Sequence, residues 1–355
     1  MIFYEHRILE TNLTNFSQTA LDAKQVLVTI IVTHYDYSNF VENALRSLVA
    51  QSHTHFECVV VDDHSAPHHV QKLRQVIAGL ADSRFKLVEL PENKGQTNAV
   101  FEGLKHSAGE FVSLLDPDDL YETQFLEKML KCHLNPCVYA PVAACEMGVF
   151  RVGGAILSKA YVGFKRDAVV AGELPKYEAS LYDFGFSKYY PPEITEWIWA
   201  TTSSLMFRRD ALEILRREAY MPSINICADT YCVFGAHLMG GTLFIDEVLS
   251  WRGIHSANAV ESDKHFSSYQ KRHQLEFLDT TLTIKLFVMK TILENDCLMH
   301  LKPDRLLSTL VSHFSVNQLE GLLADKPALA TKLLAQAWTL ERSAPPAPTV
   351  TKPTL

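Results

Sequence analysis

Glu110-Phe111-Val112-Ser113-Leu114-Leu115-Asp116-Pro117-Asp118-Asp119 runs from an apolar stretch straight into three carboxylates, and its reading decides the fold. Glu110–Leu115 has the length and apolar content of a buried strand. Working outward, the same pattern recurs. Val26–Val32 (VLVTIIV) is a continuous β-branched run, Phe56–Val61 (FECVVV) ends in Asp62-Asp63, and Phe85–Leu90 is a further strand. Between them, Asn39–Gln51 places Phe40, Val41, Ala44, Leu45, Leu48 and Val49 at helical spacing, and Val70–Leu80 and Thr97–His106 read as helices. Such alternation specifies βαβ crossovers. The expected fold is therefore α/β, with a mostly parallel, Rossmann-like central sheet flanked by helices.

In sheets of this kind, ligands bind beyond the carboxyl ends of the strands. The polar clusters fall at those ends: Thr33-His34-Tyr35-Asp36, Asp62-Asp63-His64-Ser65 and Asp116-Pro117-Asp118-Asp119. Grouped carboxylates repel one another, which costs free energy unless a cation is present. A hard divalent ion such as Mg2+ or Mn2+ takes one or two carboxylates plus substrate phosphates. A plainer reading is helix capping, since Asp-Pro-Asp-Asp suits a helix start. Capping needs one acidic residue, whereas three are supplied, and it leaves Asp62-Asp63 unexplained.

Residues Val28–Asp119 resemble the nucleotide-binding half of the inverting glycosyltransferases of family 2. The blocks that carry the resemblance stand in order: Thr33-His34-Tyr35-Asp36, Ser47-Leu48-Val49-Ala50-Gln51-Ser52, Val59-Val60-Val61-Asp62-Asp63-His64-Ser65, Asn93-Lys94-Gly95, Ala108-Gly109-Glu110 and Leu114-Leu115-Asp116-Pro117-Asp118-Asp119. The resemblance implies a GT-A fold and a nucleotide diphosphate sugar donor, UDP-linked in the first instance. It implies that Thr33, Tyr35, Asp62 and Asp63 hold the base and ribose, with Asn93, Lys94 and Gly95 close to the nucleotide. Asp116 leans to the ribose, while Asp118 and Asp119 lean to a Mn2+ or Mg2+ ion. Four positions depart from the family pattern: His64 stands where Gly is usual, Phe101 where Asn is common, and His34 and Asp36 alter the opening turn.

Beyond about Val138 the alternation loosens. Val138–Ala144, Thr202–Phe207 and Thr242–Trp251 read as strands, and Asp210–Arg217 and Ala228–Leu238 as helices, while Gly153–Glu196 shows no period. An inverting transfer needs a base for the acceptor hydroxyl and positive charge for the leaving diphosphate. The resemblance puts the base at Asp229, although Ala228 replaces the usual preceding Glu, and Asp229 could equally cap its helix. Trp251-Arg252-Gly253-Ile254-His255-Ser256-Ala257-Asn258 is similar to the family's Arg-x-x-His-x-x-Asn segment. On that likeness Arg252 is a diphosphate contact and His255 completes the metal site. Trp199 is a candidate stacking platform for the acceptor sugar, with core packing as the bland alternative. Thr201–Ser204 and Arg208-Arg209 are assigned to the same acceptor side.

The rival classes are less well served. A phosphotransferase of the Asp-x-Asp type would place its nucleophile early in the chain, and a nucleotidyltransferase would favour a Gly-rich, basic first loop. The alternatives kept are a nucleotidyltransferase and a non-catalytic nucleotide-sugar-binding domain. Over 355 residues the net charge is -8, which argues against a nucleic-acid partner. No run of about 18 apolar residues predicts a membrane span. The first residues do not read as a signal peptide, and seven cysteines in irregular spacing read as reduced thiols. The expected location is cytoplasmic, including the inner face of the membrane. The expected organisation is an N-terminal segment (1–24) and a GT-A domain (25–260), the latter with a nucleotide-binding half (25–137) and an acceptor half (138–260). A helical C-terminal extension (261–342) and a Pro/Thr-rich disordered tail (343–355) follow. The acceptor is expected to be a saccharide or a lipid-linked glycan in bacterial-type cell-surface synthesis. The C-terminal helices are candidates for pairing protomers or for peripheral membrane contact.

Overall fold

Val28–His34 forms strand β1, and its alternate residues Val28, Ile30 and Val32 are wholly buried. The computed structural model describes residues 25–135, 138–154, 156–160, 182–183, 187–195, 197–216, 228–255, 284–292 and 309–324, together with Pro327 and Thr331. Helix α1 (Val41–Val49), strand β2 (Phe56–Asp62), helix α2 (Pro67–Leu80), strand β3 (Phe85–Glu89), helix α3 (Gln96–Lys105) and strand β4 (Phe111–Leu115) follow in the expected alternation. Strand β1 lies parallel to β2 on one side and to β4 on the other, and β3 extends the sheet from β2. Parallel strands linked by helices bury both faces, which is why β1 and β4 need continuous apolar runs.

Two elements escaped the sequence reading. Strand β5 (Leu120–Tyr121) and helix α4 (Phe125–His133) follow the acidic cluster. α4 covers the same face of the sheet as α1, through Phe125, Leu126, Met129 and Leu130. Strand β6 (Val142–Arg151) is followed by β7 (Ile156–Ser158), β8 (Tyr182–Asp183) and β9 (Ser187–Tyr190), so the stretch read as aperiodic contains short strands. The strand expected over Thr202–Phe207 divides into a 3-10 turn, Thr202–Ser204, and strand β10 (Leu205–Arg208). Helix α5 (Arg209–Leu215), helix α6 (Ala228–Gly240) and strand β11 (Thr242–Ile254) complete the sheet.

The strand order is β3-β2-β1-β4-β10-β6-β11-β9-β8, with β5 on β11 and β7 on β6. β10 is antiparallel to both of its neighbours, β4 and β6, while β11 runs parallel to β6. The sheet is thus parallel in its first part and mixed in its second. Because β10 bridges them, the carboxyl end of β4 faces the end of β11.

Two compact units are present, Met1–His300 and Leu301–Leu355. In the second, helix α7 (Val316–Leu323) starts at a capping box made by Ser315 and Gln318. Helix α7 falls within the expected helical C-terminal extension, and residues 314 and 315 separate it from the helical residues 309–313. No helix among the described residues is long and apolar enough to cross a membrane. The expected segments 1–24 and 343–355 and the 260/261 boundary lie outside the described residues.

Candidate active site

Every residue of β4 is buried, so the chain leaves the core only at Leu115, and the acidic turn forms where the core ends. The Asp119 amide donates to the Asp116 carbonyl at 3.1 Å, which closes the turn. Ser203, from the 3-10 turn ahead of β10, ties it down: its hydroxyl accepts the Asp116 N–H at 2.9 Å and donates to Asp119 Oδ2 at 2.6 Å. The second Asp119 oxygen accepts the Gly253 amide at 2.9 Å. Asp119 is 2% exposed and braces the end of β4 against the segment before β10 and against β11. Each Asp119 oxygen thus holds elements of the fold together, a bracing role that stands beside the metal-ligand role expected from the sequence. Gly253 has no room for a side chain, since a Cβ there would collide with the Asp118 carbonyl oxygen.

Asp118 points the other way. Its Oδ2 lies 3.1 Å from His255 Nε2. The His255 ring stacks on Phe40 with centroids 3.9 Å apart and planes 13° from parallel, and Tyr37 meets it edge-on at 5.5 Å. Asp116 Oδ1 accepts from Gln96 Nε2 at 2.9 Å, and Gln96 opens helix α3 directly after Gly95.

Charges converge here. Burial, then the charges of Asp118 and Asp229, push the Asp116 carboxyl up to about 7, while Arg252 and a Thr202 hydrogen bond oppose the rise. Asp118 is raised chiefly by burial, against the pull of His255 and Arg252. Asp119 is raised well above the carboxylate range by burial and by Asp118 and Asp116. Asp229, half-buried on the first turn of α6, therefore stands within electrostatic reach of Asp116. Its Oδ1 also accepts the Thr230 amide at 2.7 Å, a bond within the first turn of the helix. Acidic groups that raise one another in this way would be relieved by a cation.

The donor set can be tested against a divalent ion. Among the described residues no three His, Cys, Asp or Glu side chains form a group that could hold a metal. Asp118 and His255 offer one oxygen and one nitrogen 3.1 Å apart. Two such atoms can share an ion whose ligand distances are about 2.0–2.2 Å. The pair fits Mn2+ or Mg2+ only with substrate phosphates and water filling the other positions.

A second cluster shapes the floor of the cleft. Asp63 sits just past β2, and its two oxygens accept the Lys94 and Gly95 amides, each at 2.7 Å. The carboxylate therefore folds the Asn93-Lys94-Gly95 loop, and each oxygen retains a lone pair for a ligand. Asp62 is different. It is buried, and its carboxylate engages His34 Nδ1 at 2.7 Å and the Ser65 hydroxyl and amide at 2.6 and 3.0 Å. Burial would raise this carboxyl, but the hydrogen bonds from His34 and Ser65 outweigh it and hold it below the usual range. Asp62 locks β1 to β2 and is not presented to a nucleotide, which corrects its expected role. Tyr35 is 50% exposed at the carboxyl end of β1, Thr33 is half-buried on that strand, and Asn93 is exposed.

Three other expectations change. Trp199 is fully buried, with its indole N–H donating to Thr242 Oγ1 at 3.1 Å, so it packs the core and offers no platform for a sugar. Arg209 is tied to the backbone at Gly109 and Leu104, and Arg208 lies over the rings of Phe111 and Tyr139. Both arginines hold the fold. Phe101 packs edge-on against Tyr231 between α3 and α6, while His64 keeps the turn that a Gly would make by adopting φ 64°. Gln96, Tyr37 and Phe40 stand beside Asp116 and His255 without having been expected there, while Ser203, expected on the acceptor side within Thr201–Ser204, instead ties down the acidic turn. Of the unexpected three only Gln96, beside Gly95, carried a signal in its sequence position.

The sequence profile of Glycosyl transferase family 2 matches residues 29–213. The putative teichuronic acid biosynthesis glycosyltransferase TuaG of Bacillus subtilis is 34% identical over 105 residues, which is 30% of this chain and 41% of TuaG. This chain thus spans about two fifths of that relative. An uncharacterized glycosyltransferase of Nostoc is 23% identical over 250 residues, 69% of this chain and 70% of that protein. The mannosyltransferase PcManGT from Pyrobaculum calidifontis, solved in complex with GDP-Man and Mn2+, superposes with a TM-score of 0.50 and 18% identity across 95% of this chain and 100% of that one. At this identity the likeness is one of fold, and the fold is GT-A.

Proposed function

The chain belongs to Glycosyl transferase family 2, and from that premise we propose that it is a metal-dependent, inverting glycosyltransferase acting on a nucleotide diphosphate sugar. The donor is UDP-linked, and the acceptor is a hydroxyl of a saccharide or lipid-linked glycan in cell-surface polysaccharide or glycoconjugate synthesis. TuaG, whose name places it in teichuronic acid biosynthesis, supports that setting.

One observation carries the reading: Asp118 Oδ2 lies 3.1 Å from His255 Nε2 across the ends of β4 and β11, and Asp116 beside it feels the charges of Asp118, Asp229 and Arg252. Asp116, oriented by Gln96, receives the ribose, and Tyr35 and Thr33 receive the base beside the Asp63-shaped loop. Arg252 pairs with the diphosphate, where a guanidinium matches phosphate oxygens in a fork. Asp118 and His255 hold the divalent ion, which when bound offsets charge on the departing diphosphate. Asp229 takes the proton of the acceptor hydroxyl as the new glycosidic bond forms.

A panel of UDP- and GDP-sugars with Mn2+ or Mg2+ tests this by following donor hydrolysis and transfer. Asp229→Asn is expected to lower turnover about 100- to 10,000-fold, the usual worth of general-base catalysis, with donor affinity retained. Failure of every nucleotide sugar to bind with metal present sinks the enzymatic reading.

A further inference from the structure

Phe40 occupies the N-cap of α1 and makes no capping hydrogen bond. That position favours Ser, Thr, Asp or Asn, whose side chains accept an orphan amide and add about 1 kcal/mol relative to a residue that cannot. Ser38 and Asn39 lie immediately before it, so capping chemistry is close at hand but is not placed at the cap. The Phe40 ring goes elsewhere: it lies 3.9 Å from the His255 ring at 13°, a parallel stack. Tyr37, one turn earlier, closes on the same imidazole edge-on at 5.5 Å and on Phe40 at 5.6 Å. Phe40 and Tyr37 are half-buried, while the His255 side chain they flank is 8% exposed.

A ring stacked face to face keeps its plane but can still slide and turn within it; an edge-on neighbour limits that turn. Together the two contacts fix the His255 plane, and with it the direction of Nε2, which lies 3.1 Å from Asp118 Oδ2. His255 lies one residue beyond the end of β11. We propose that Phe40, supported by Tyr37, is a positioning residue for metal binding: it acts through His255, holding Nε2 and the Asp118 carboxylate in the geometry that takes a divalent ion. The proposal rests on the glycosyltransferase reading only in requiring that Asp118 and His255 bind the ion. It adds a contribution from the β1–α1 connection to a site otherwise built at β4 and β11.

The test is Mn2+ affinity of the full-length protein, read from the loss of the free-ion electron paramagnetic resonance signal, with and without UDP or GDP. Phe40→Leu is expected to weaken Mn2+ binding about tenfold, the lower end of what partners behind a metal ligand contribute. Phe40→Tyr, which keeps the stack, should stay within about twofold of wild type, and Tyr37→Leu should give an intermediate loss. Phe40→Leu should add no further loss in a His255→Ala background, since coupled residues are not additive. A merely structural role for Phe40 would lower the melting temperature and weaken Mn2+ binding equally in both backgrounds. Wild-type affinity in Phe40→Leu, alongside loss in His255→Ala, overturns the proposal and leaves the metal site standing. Unchanged binding in both Asp118→Asn and His255→Ala overturns the metal site itself, and the role of Phe40 with it.

Discussion

Ser203 shows how much of the site rests on single polar atoms. Fully buried, its hydroxyl accepts one hydrogen bond and donates another, and both partners belong to the acidic turn. Asp119 is the counterpart: a carboxylate typed as a ligand by its neighbours in the chain, and a brace through its buried partners. His133 carries a different consequence, for stability. Its Nε2 donates to the Met206 carbonyl at 3.0 Å, and burial, then the Arg208 charge, push the imidazole down to about 3. The unfolded chain titrates histidine near 6.5, so between those values it binds a proton that the folded chain refuses. The stability from neutral His133 is complete above about pH 6.5 and is lost as pH falls towards 3, by at most about 1.4 kcal/mol per pH unit. Urea unfolding at pH 5 and 7 should therefore show a smaller pH slope for His133→Gln than for wild type. Parallel profiles would contradict this.

At the scale of elements, the turns beyond the strands decide what each carboxylate does. The turn after β2 contains His64 at φ 64°, a left-handed conformation that costs an L-residue roughly 1–2 kcal/mol and glycine almost nothing. Glycine also gives the unfolded chain more freedom, which offsets part of that gain. His64→Gly is expected to stabilise the protein by about 0.5–1 kcal/mol, read as a higher urea midpoint, with the Asp62 and Asp63 contacts unchanged. A lower midpoint would show that the imidazole makes a compensating contact. The departure at His64 was visible in the sequence, but its cost became visible only with the dihedral. Strand β5 and helix α4 were missed because the acidic turn draws attention away from the apolar positions after it. Strand β10 was read three residues too early because Thr202-Ser203-Ser204 has strand-like side chains and turn-like backbone.

Across the sheet, β10 is the seam between two segments, strands β1–β4 and strands β6, β11, β9 and β8. Met206 pairs with Ser113 of β4 on one side and with Ala143 of β6 on the other. Splitting the segments would expose two rows of unpaired backbone groups and open the core where Met206 packs with Leu243 and Ile245. The amides of β1, β4, β6 and β11 should therefore exchange with deuterium through one shared opening, with equal free energies under native conditions. Two distinct values, one for β1 and β4 and another for β6 and β11, would show that the segments open separately.

The carboxylate-tipped strands, the alternation that makes the sheet parallel and the order of blocks that marks the family were all written locally, within about ninety residues. Local patterns suffice there, because strand and helix periods are properties of neighbouring side chains. The division of labour among the aspartates was decided elsewhere. Asp119 meets Ser203 and Gly253 across 84 and 134 positions, and Asp118 meets His255 across 137. Such partners are chosen by strand order, and the antiparallel insertion of β10 that brings them together has no signature in spacing. The carboxylates of Asp116-Pro117-Asp118-Asp119 were legible as a cluster at a strand end, but which partner each one meets was decided by the tertiary structure alone.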